Sequence, residues 1–432
     1  MAGLDPRSVA VFERSAEGRG GGAGVVTDDL SVAFLKGMGA LSAEDATRRV
    51  NPMRVQEERV GCSGHRLARD EDFPCFSAYW ADVHVALKEC LPEGVIRWGK
   101  ELRDYSQPAR PGDGEVLLTF ADGETVSCEL LVGADGPTSG VRSKADPPPP
   151  GWCGDMRYAG YYAWRGILPR ASCPPDAFQQ LKEQFVDYGN CLYFIVSNSR
   201  PRQHAVLYEL GGELINWLIY VSSDSPVCGG KATMAAPPAL LARLFEQVEA
   251  AYGPAFAAIV RATPDPFLND IFDREPLSTL IDRRVLLLGD SAHPVTPHAG
   301  KGSNMAMHDA LALGQSFATV WETVSAPSPA LAAAWLKQQP ERADLGWRLG
   351  AAVELYNSRR VDEVRRVVLA SRHYGRLRNR LMPEAALLAV GGKEWEDVSE
   401  AAYEAAVRAT GLQRPLQGQL MPADPMMQLA PL

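Results

Sequence analysis

Residues 285–313, VLLLGDSAHPVTPHAGKGSNMAMHDALAL, hold the densest set of chemically useful groups in the chain. Four apolar residues end at Gly289-Asp290. The pattern predicts a short strand buried on both faces, with the carboxylate at its carboxyl end, where open parallel sheets bind ligands. Pro294 and Pro297 bar a helix across the next turn, and Gly300 and Gly302 let backbone approach a bound group closely. A helix is predicted from the good cap residue Ser303 to about Thr323. Its first N–H groups have no partner within the helix and carry the positive end of its dipole, which suits an anion, with Lys301 beside it. Asp290, an acceptor only when ionised, suits ligand hydroxyls. Ala306, Ala310 and Gly314 fall at i, i+4 and i+8, which predicts one face of small residues for close packing.

Other chemistries fit poorly. Gly61-Cys62-Ser63-Gly64-His65 is not a GxSxG nucleophile turn. Gly300-Lys301-Gly302-Ser303 is not a P-loop, because glycine separates lysine from serine. His293, His298 and His308 lack the spacing of a zinc helix, and Pro294 and Pro297 bar a helical pairing of the first two, so His293 reads as a hydrogen-bonded supporting residue. Arg359 and Arg360 read as a solvated helix face. A reduced flavin, with negative charge near N1 and the C2 carbonyl and a ribityl chain of hydroxyls, matches both the helix terminus and Asp290.

These groups must be carried by a larger frame. Val9 to Phe12 reads as a buried strand ending at Glu13-Arg14 and followed by a glycine cluster. Leu30–Leu41 and Tyr79–Leu91 read as helices. Val116–Phe120 and Val126–Val132 read as strands joined through Asp122-Gly123, the second running into Gly133-Ala134-Asp135-Gly136. Pro147 to Pro150 mark a boundary. Beyond it, Tyr161–Trp164, Leu192–Val196, His204–Leu210 and Ile215–Val221 have the aromatic and β-branched content of an antiparallel sheet. Most aromatics there are expected in the core; His204 and Tyr208 are the best polar candidates for a pocket. Helices are predicted over Ala239–Tyr252, Leu331–Leu336 and Ala351–Leu377, and disorder over Leu412–Leu432.

With 432 residues the chain can build two or three domains. Its net charge of −9 argues against nucleic-acid or anionic-membrane binding. Eight cysteines, none in CxxC spacing, read as free thiols in a reducing, cytoplasmic compartment. No signal peptide and no membrane span is read from the sequence.

The run Gly289-Asp290-Ser291-Ala292-His293-Pro294, with Pro297, Gly300, Gly302, Asn304 and Asp309-Ala310, resembles the GD motif of group A FAD-dependent aromatic monooxygenases. Lys301-Gly302-Ser303-Asn304 is similar to the p-hydroxybenzoate hydroxylase variant of that motif, and Gly133-Ala134-Asp135-Gly136 with Ser139, Val141 and Arg142 resembles the family's DG motif. Tyr158-Ala159-Gly160-Tyr161 with Trp164-Arg165-Gly166 is similar to the 2,6-dihydroxypyridine 3-monooxygenase branch. The resemblance runs from about residue 9 to residue 375. It implies an α/β fold: a Rossmann-like FAD-binding domain of glutathione-reductase type with an inserted antiparallel β-sheet substrate domain and C-terminal helices. The corresponding residues are 1–146 with 275–325, 151–274 and 326–410, followed by the 411–432 tail.

The same resemblance implies FAD as cofactor, held by Glu13, Arg14, Asp135, Gly136, Gly289, Asp290, Pro297, Gly300, Lys301, Gly302, Ser303 and Asn304. It also implies NAD(P)H as co-substrate and dioxygen activated at flavin C4a to hydroxylate a small aromatic or heteroaromatic molecule, and it is compatible with a homodimer. Only twelve residues precede Glu13, so the family's GxGxxG turn cannot lie ahead of it. The first βα unit is therefore expected to be missing, through truncation or through loss of normal FAD binding. The alternatives are another FAD-dependent oxidoreductase on this scaffold (a halogenase or reductase) and a truncated non-catalytic relative. A halogenase's WxWxIP run is not found.

Overall fold

The computed structural model describes residues 8–17, 22–42, 50–108, 114–211, 214–231, 233–324, 345–379, 397–399, 401–403 and 405. The predicted helix Leu331–Leu336 and the tail Leu412–Leu432 lie outside these.

Short apolar runs give parallel strands, but only Val285–Leu287 is buried throughout, and the strand expected to be buried at Val9–Phe12 is largely exposed. Val11–Glu13 pairs with Ile96–Trp98, and Leu131–Gly133 pairs with Val285–Leu287. Among the described residues the two pairs do not join into one sheet. Val11 and Val132 are correspondingly exposed, at 40% and 38%. The Asp122-Gly123 turn does close a hairpin, with Gly123 at φ +87°, but its second strand is only Thr125–Cys128. The chain breaks there, and Leu131–Gly133 passes to the parallel pair.

The dominant element is an eight-stranded sheet in the order Met234–Ala235, Phe267–Asp273, Arg157–Pro169, Leu214–Ser222, Gln203–Leu210, Cys191–Ser197, Val55–Val60, Arg66–Asp70. Its last two strands come from before the proline boundary, so the sheet is not confined to residues 151–274. Side chains alternate across a strand. One face, including Trp164, Ile195 and Trp217, packs against helices Pro175–Gln184, Pro238–Tyr252 and Pro254–Ala262 through Leu181, Val248 and Phe256. Gly166 makes room for the indole: a Cβ there would lie 2.4 Å from the Trp217 ring. The opposite face carries Tyr161, Ala163, Phe194, Tyr208, Leu218 and Tyr220.

Helix Gly302–Val324 follows the GD turn and packs against the long helix Leu345–Arg378. Ala312, Phe317, Leu349, Val353 and Val364 form a core with Val285 and Leu287, and the Tyr356 hydroxyl donates to the Leu287 carbonyl at 3.1 Å. The small-residue stripe packs only at its start. A Cβ at Gly289 would lie 3.2 Å from that of Ala306, whereas Ala310 is exposed and a Cβ at Gly314 would meet open space. Arg360 corrects the solvated-face reading: it is fully buried, its Nε donating to Asp309 at 2.8 Å and its Nη1 to Glu363. Arg359 is half-buried and donates to Ser316 at 3.2 Å.

Candidate active site

The strand Gly24–Thr27, the turn around Asp290 and the free face of the large sheet enclose a cleft of about 1110 Å³. Asp290 and Ser303 both line it. The short turn Pro297–Ala299 ends at Gly300, whose φ of +62° is left-handed and strained for any residue with a Cβ. Reversal there lets Lys301, Gly302, Ser303 and Asn304 present the start of the following helix to the cleft. The first N–H groups of that helix have no intrahelical acceptor.

Polar bonds hold this turn. Asn304 Oδ1 accepts from Asp28 N at 3.1 Å and from Ser31 Oγ at 2.8 Å. Its Nδ2 donates to the carbonyls of Val26 at 2.9 Å and Gly300 at 2.8 Å. Those four bonds use its full capacity, so Asn304 fastens the turn to the strand and has no side-chain bond left for a ligand. Asp28 caps helix Asp29–Gly37 by accepting from Ser31 N, and pairs with Lys301 at 2.9 Å and His308 at 3.2 Å. Burial alone would raise the Asp28 carboxyl, but the His308 hydrogen bond and the Lys301 charge hold it well below the usual carboxylate range.

Asp309, fully buried, accepts from Gly289 N at 2.9 Å and Arg360 Nε at 2.8 Å, and lies 2.6 Å from His293 Nε2. Burial opposes its ionisation, yet the His293 and Arg360 charges keep its carboxyl below its ordinary value. It thereby pins the strand end that carries Asp290. Asp290 itself is exposed to the cleft and accepts no hydrogen bond from any described residue. The protein mass around it pushes its carboxyl above the ordinary range, partly offset by His293.

The sheet wall is apolar except at a few points. Tyr208 lines the cleft, its hydroxyl tied to Asn216, which also accepts from Gly24 N at 3.2 Å. His204 shares that face but is covered. Its Nδ1 bonds Asn379 at 3.1 Å, its ring stacks on Tyr220 at 4.8 Å, and it does not line the cleft. Burial, followed by the Arg378 charge, lowers its imidazole to about 3, so it is neutral. His298, which sequence reading weighed only as a metal ligand, does line the cleft, with Nδ1 3.2 Å from the Tyr161 hydroxyl. Burial pushes it well below its ordinary value as well. Gly375 lets the long helix reach this pair, since a Cβ there would lie 2.4 Å from the Tyr161 hydroxyl.

Of the remaining expected residues, Gly136, Gly289 and Pro297 line the cleft, while Glu13, Arg14 and Asp135 do not. Glu13 accepts from Ser15 N at 2.6 Å, and Asp135 from Val141 N at 3.0 Å and from Ser139. Sequence reading missed Arg165, Gln56 and Phe194 on the sheet wall. Period-two alternation from Tyr161 would have put Arg165 on the same face as Tyr161.

FAD can be tested against this geometry. The isoalloxazine and ribityl end fits: Asp290 is an unpartnered acceptor, and a helix start faces the same space. At the strand Val11–Glu13, the described residues supply an acid but no glycine-rich turn leading into a helix for the pyrophosphate.

Comparison with known proteins agrees with the flavin end. Residues 276–333 match the family described as FAD binding domain. It is 29% identical over 309 residues to a dual trans-enoyl reductase/FAD-dependent monooxygenase of Aspergillus terreus, covering 69% of this chain and 40% of that protein. It is 28% identical over 243 residues to 6-hydroxynicotinate 3-monooxygenase of Bordetella bronchiseptica, covering 55% of each. The chain thus spans about half the length of the curated relatives it matches. Its fold matches 2,6-dihydroxypyridine-3-hydroxylase from Arthrobacter nicotinovorans with a TM-score of 0.67, 20% identity and 88% of both chains covered. The chain is similar in sequence to FAD-dependent monooxygenases and has the fold of 2,6-dihydroxypyridine-3-hydroxylase.

Proposed function

We propose that the chain is an FAD-dependent monooxygenase that hydroxylates a small aromatic or heteroaromatic molecule, using NAD(P)H and dioxygen. The observation that carries this reading is continuity. Asp290 and the first turn of helix Gly302–Val324 open into the same cleft as the apolar sheet wall of Phe194, Val206, Leu218 and Tyr220. A planar cofactor held at the first can face a ring held at the second.

When bound, FAD supplies the electron transfer and oxygen chemistry, which no protein side chain provides. The chain's own residues bind and orient. Asp290 accepts from hydroxyls of the ribityl chain, and the N–H groups of Gly302 and Ser303, with Lys301 nearby, stabilise negative charge on the ring. Gly289, Pro297 and Gly300 shape the turn, while Asn304 holds it in place. Glu13 and Arg14 would face the adenosine ribose, and Asp135 and Gly136 the pyrophosphate side. The apolar sheet wall excludes water from the reacting ring. His204 and His298 are neutral and supply no fixed charge; Tyr208 is the polar group best placed to orient a substrate hydroxyl.

The test is oxygen isotope incorporation. Chain purified with FAD should oxidise NAD(P)H faster when a hydroxylated aromatic is added, and the product should carry one atom from labelled dioxygen. Asp290→Ala should retain fold and lose flavin. Flavin retention unchanged in that variant, or NAD(P)H oxidation without labelled product across a broad phenol and pyridine panel, would reject the reading.

A further inference from the structure

Beside the glycine turn, groups of opposite charge alternate in a connected series. Lys301 Nζ lies 2.9 Å from Asp28 Oδ2, Asp28 Oδ1 lies 3.2 Å from His308 Nε2, and His308 Nδ1 lies 3.9 Å from Glu363 Oε1. Arg360 then bridges Glu363 and Asp309. Lys301, Asp28, His308 and Glu363 all line the cleft. The three carboxylates of the series outnumber the Lys301 and Arg360 cations by one, so it is electrically balanced only when His308 is protonated. Two further charged groups of the flanking helices line the cleft, Asp29 and Arg359, and they are of opposite sign.

The hydrogen bonds decide which imidazole atom titrates. Ser31 Oγ spends its hydrogen on Asn304 Oδ1 at 2.8 Å. His308 Nε2 therefore faces two acceptors, that hydroxyl at 3.4 Å and Asp28 Oδ1 at 3.2 Å, and it carries a hydrogen in both ionisation states. Nδ1, on the Glu363 side, is the atom that gains or loses the proton. Burial disfavours the imidazolium, and so does the Arg360 charge, but Asp28 and Glu363 outweigh both and raise the imidazole above its ordinary value. The side chain is 13% exposed, so solvent can deliver the proton.

We propose that His308 is a positioning residue for cofactor reduction: it takes a proton from solvent at Nδ1 as the flavin gains negative charge, and it thereby releases the Lys301 charge toward the ring. This rests on the reading of residues 300–303 as the flavin site. A hydride from NAD(P)H brings two electrons and one proton, leaving NAD(P)+ and a flavin with one added negative charge. While His308 is neutral, Asp28 offsets Lys301 alone. Once His308 is protonated, Asp28 is shared between two cations and more of the Lys301 field reaches the ring. The coupling is reciprocal: if the reduced ring strengthens proton binding at His308, the bound proton favours reduction by the same factor.

The test is the midpoint potential of the FAD-loaded full chain, followed by flavin absorbance in redox titrations across the neutral pH range. The potential of the parent should fall with pH more steeply than that of His308→Gln. The extra dependence should reach as much as tenfold in the reduction equilibrium per pH unit, or ~30 mV for a two-electron couple. Glu363→Gln removes one carboxylate beside Nδ1 and should move the steep region to lower pH, which tests the coupling even if His308→Gln fails to fold. Parallel pH dependence in the parent and His308→Gln overturns the proposal, as does a steep region that Glu363→Gln leaves in place. Bound flavin with parallel lines leaves the monooxygenase reading intact. Coupled protonation without substrate-stimulated transfer of labelled oxygen does the reverse, and a chain that holds no FAD removes both.

Discussion

Replacing Arg360 with methionine tests whether the Asp290 turn is held by buried charge. Arg360 and Asp309 are both fully buried, and Asp309 takes three polar contacts, from Arg360 Nε at 2.8 Å, Gly289 N at 2.9 Å and His293 Nε2 at 2.6 Å. Arg360→Met keeps most of the aliphatic volume and removes the charge that Asp309 and Glu363 share. Stripping one partner from a buried pair costs about 3–5 kcal/mol, because the remaining charge cannot be hydrated. The low end is expected here, because His293 stays beside Asp309 and His308 lies 3.9 Å from Glu363. Asp309→Asn in the same background removes the stranded charge. The double variant should then be less damaged than the sum of the two singles by about 1–3 kcal/mol, the usual coupling between contacting groups. Urea unfolding of all four proteins gives the cycle directly, and FAD affinity measured alongside reports on Gly289-Asp290. Stability of Arg360→Met within about 1 kcal/mol of the parent, or strictly additive singles, would refute the reasoning.

Three further outcomes follow from the same structure. Asp28 has a depressed carboxyl and His308 a raised imidazole, so their pairing adds stability that is lost as pH falls below the ordinary carboxylate value of 3.8 and partly lost as pH rises past the raised His308 value, where Lys301 remains. Melting curves across pH should therefore show the largest gap between the parent and Asp28→Asn in mildly acidic solution, and a uniform gap would contradict the pairing. Gly166→Ala places a Cβ 2.4 Å from the Trp217 indole; overpacking of this kind costs about 1–3 kcal/mol, read as a lower urea midpoint. Gly375→Ala puts a Cβ 2.4 Å from the Tyr161 hydroxyl, and since that tyrosine supports His298 in the cleft wall, aromatic-ligand affinity should fall more than melting temperature does.

Legibility in the sequence followed locality. The GD turn was readable because its constraints are local: proline and glycine restrict backbone wherever they occur. The aromatic strands were readable because Tyr161–Trp164 and Ile215–Val221 are rich in aromatic and β-branched residues. Arg360 was misread because its neighbours Arg359, Glu363, Arg365 and Arg366 look like a solvated helix. What buries it is Asp309, 51 positions away on another helix, and no local pattern carries that. The strands VQEERV and RLARD were unreadable for a related reason. Their charges are internalised only because Arg69 meets Glu57 at 2.7 Å and Arg378 meets Glu58. His204 suits a pocket by residue type alone, and its cover, packing against Asn379, is a long-range contact.

Three aspartates around the turn show how the fold separates support from function. A glycine-rich loop has little apolar surface with which to hold its shape, so its geometry must come from hydrogen bonds and charge. Asp28 and Asp309 do this work. Each is partnered from several directions, and each is driven below the usual carboxylate range by those partners. Asp290 lies nineteen positions before Asp309, beside the same histidine, and has no partner among the described residues. Its carboxyl is shifted the opposite way. A carboxylate that only supported the turn would have been given donors, as the other two were. An acid left without protein donors where it lines the cleft keeps its acceptor oxygens available to a bound ligand.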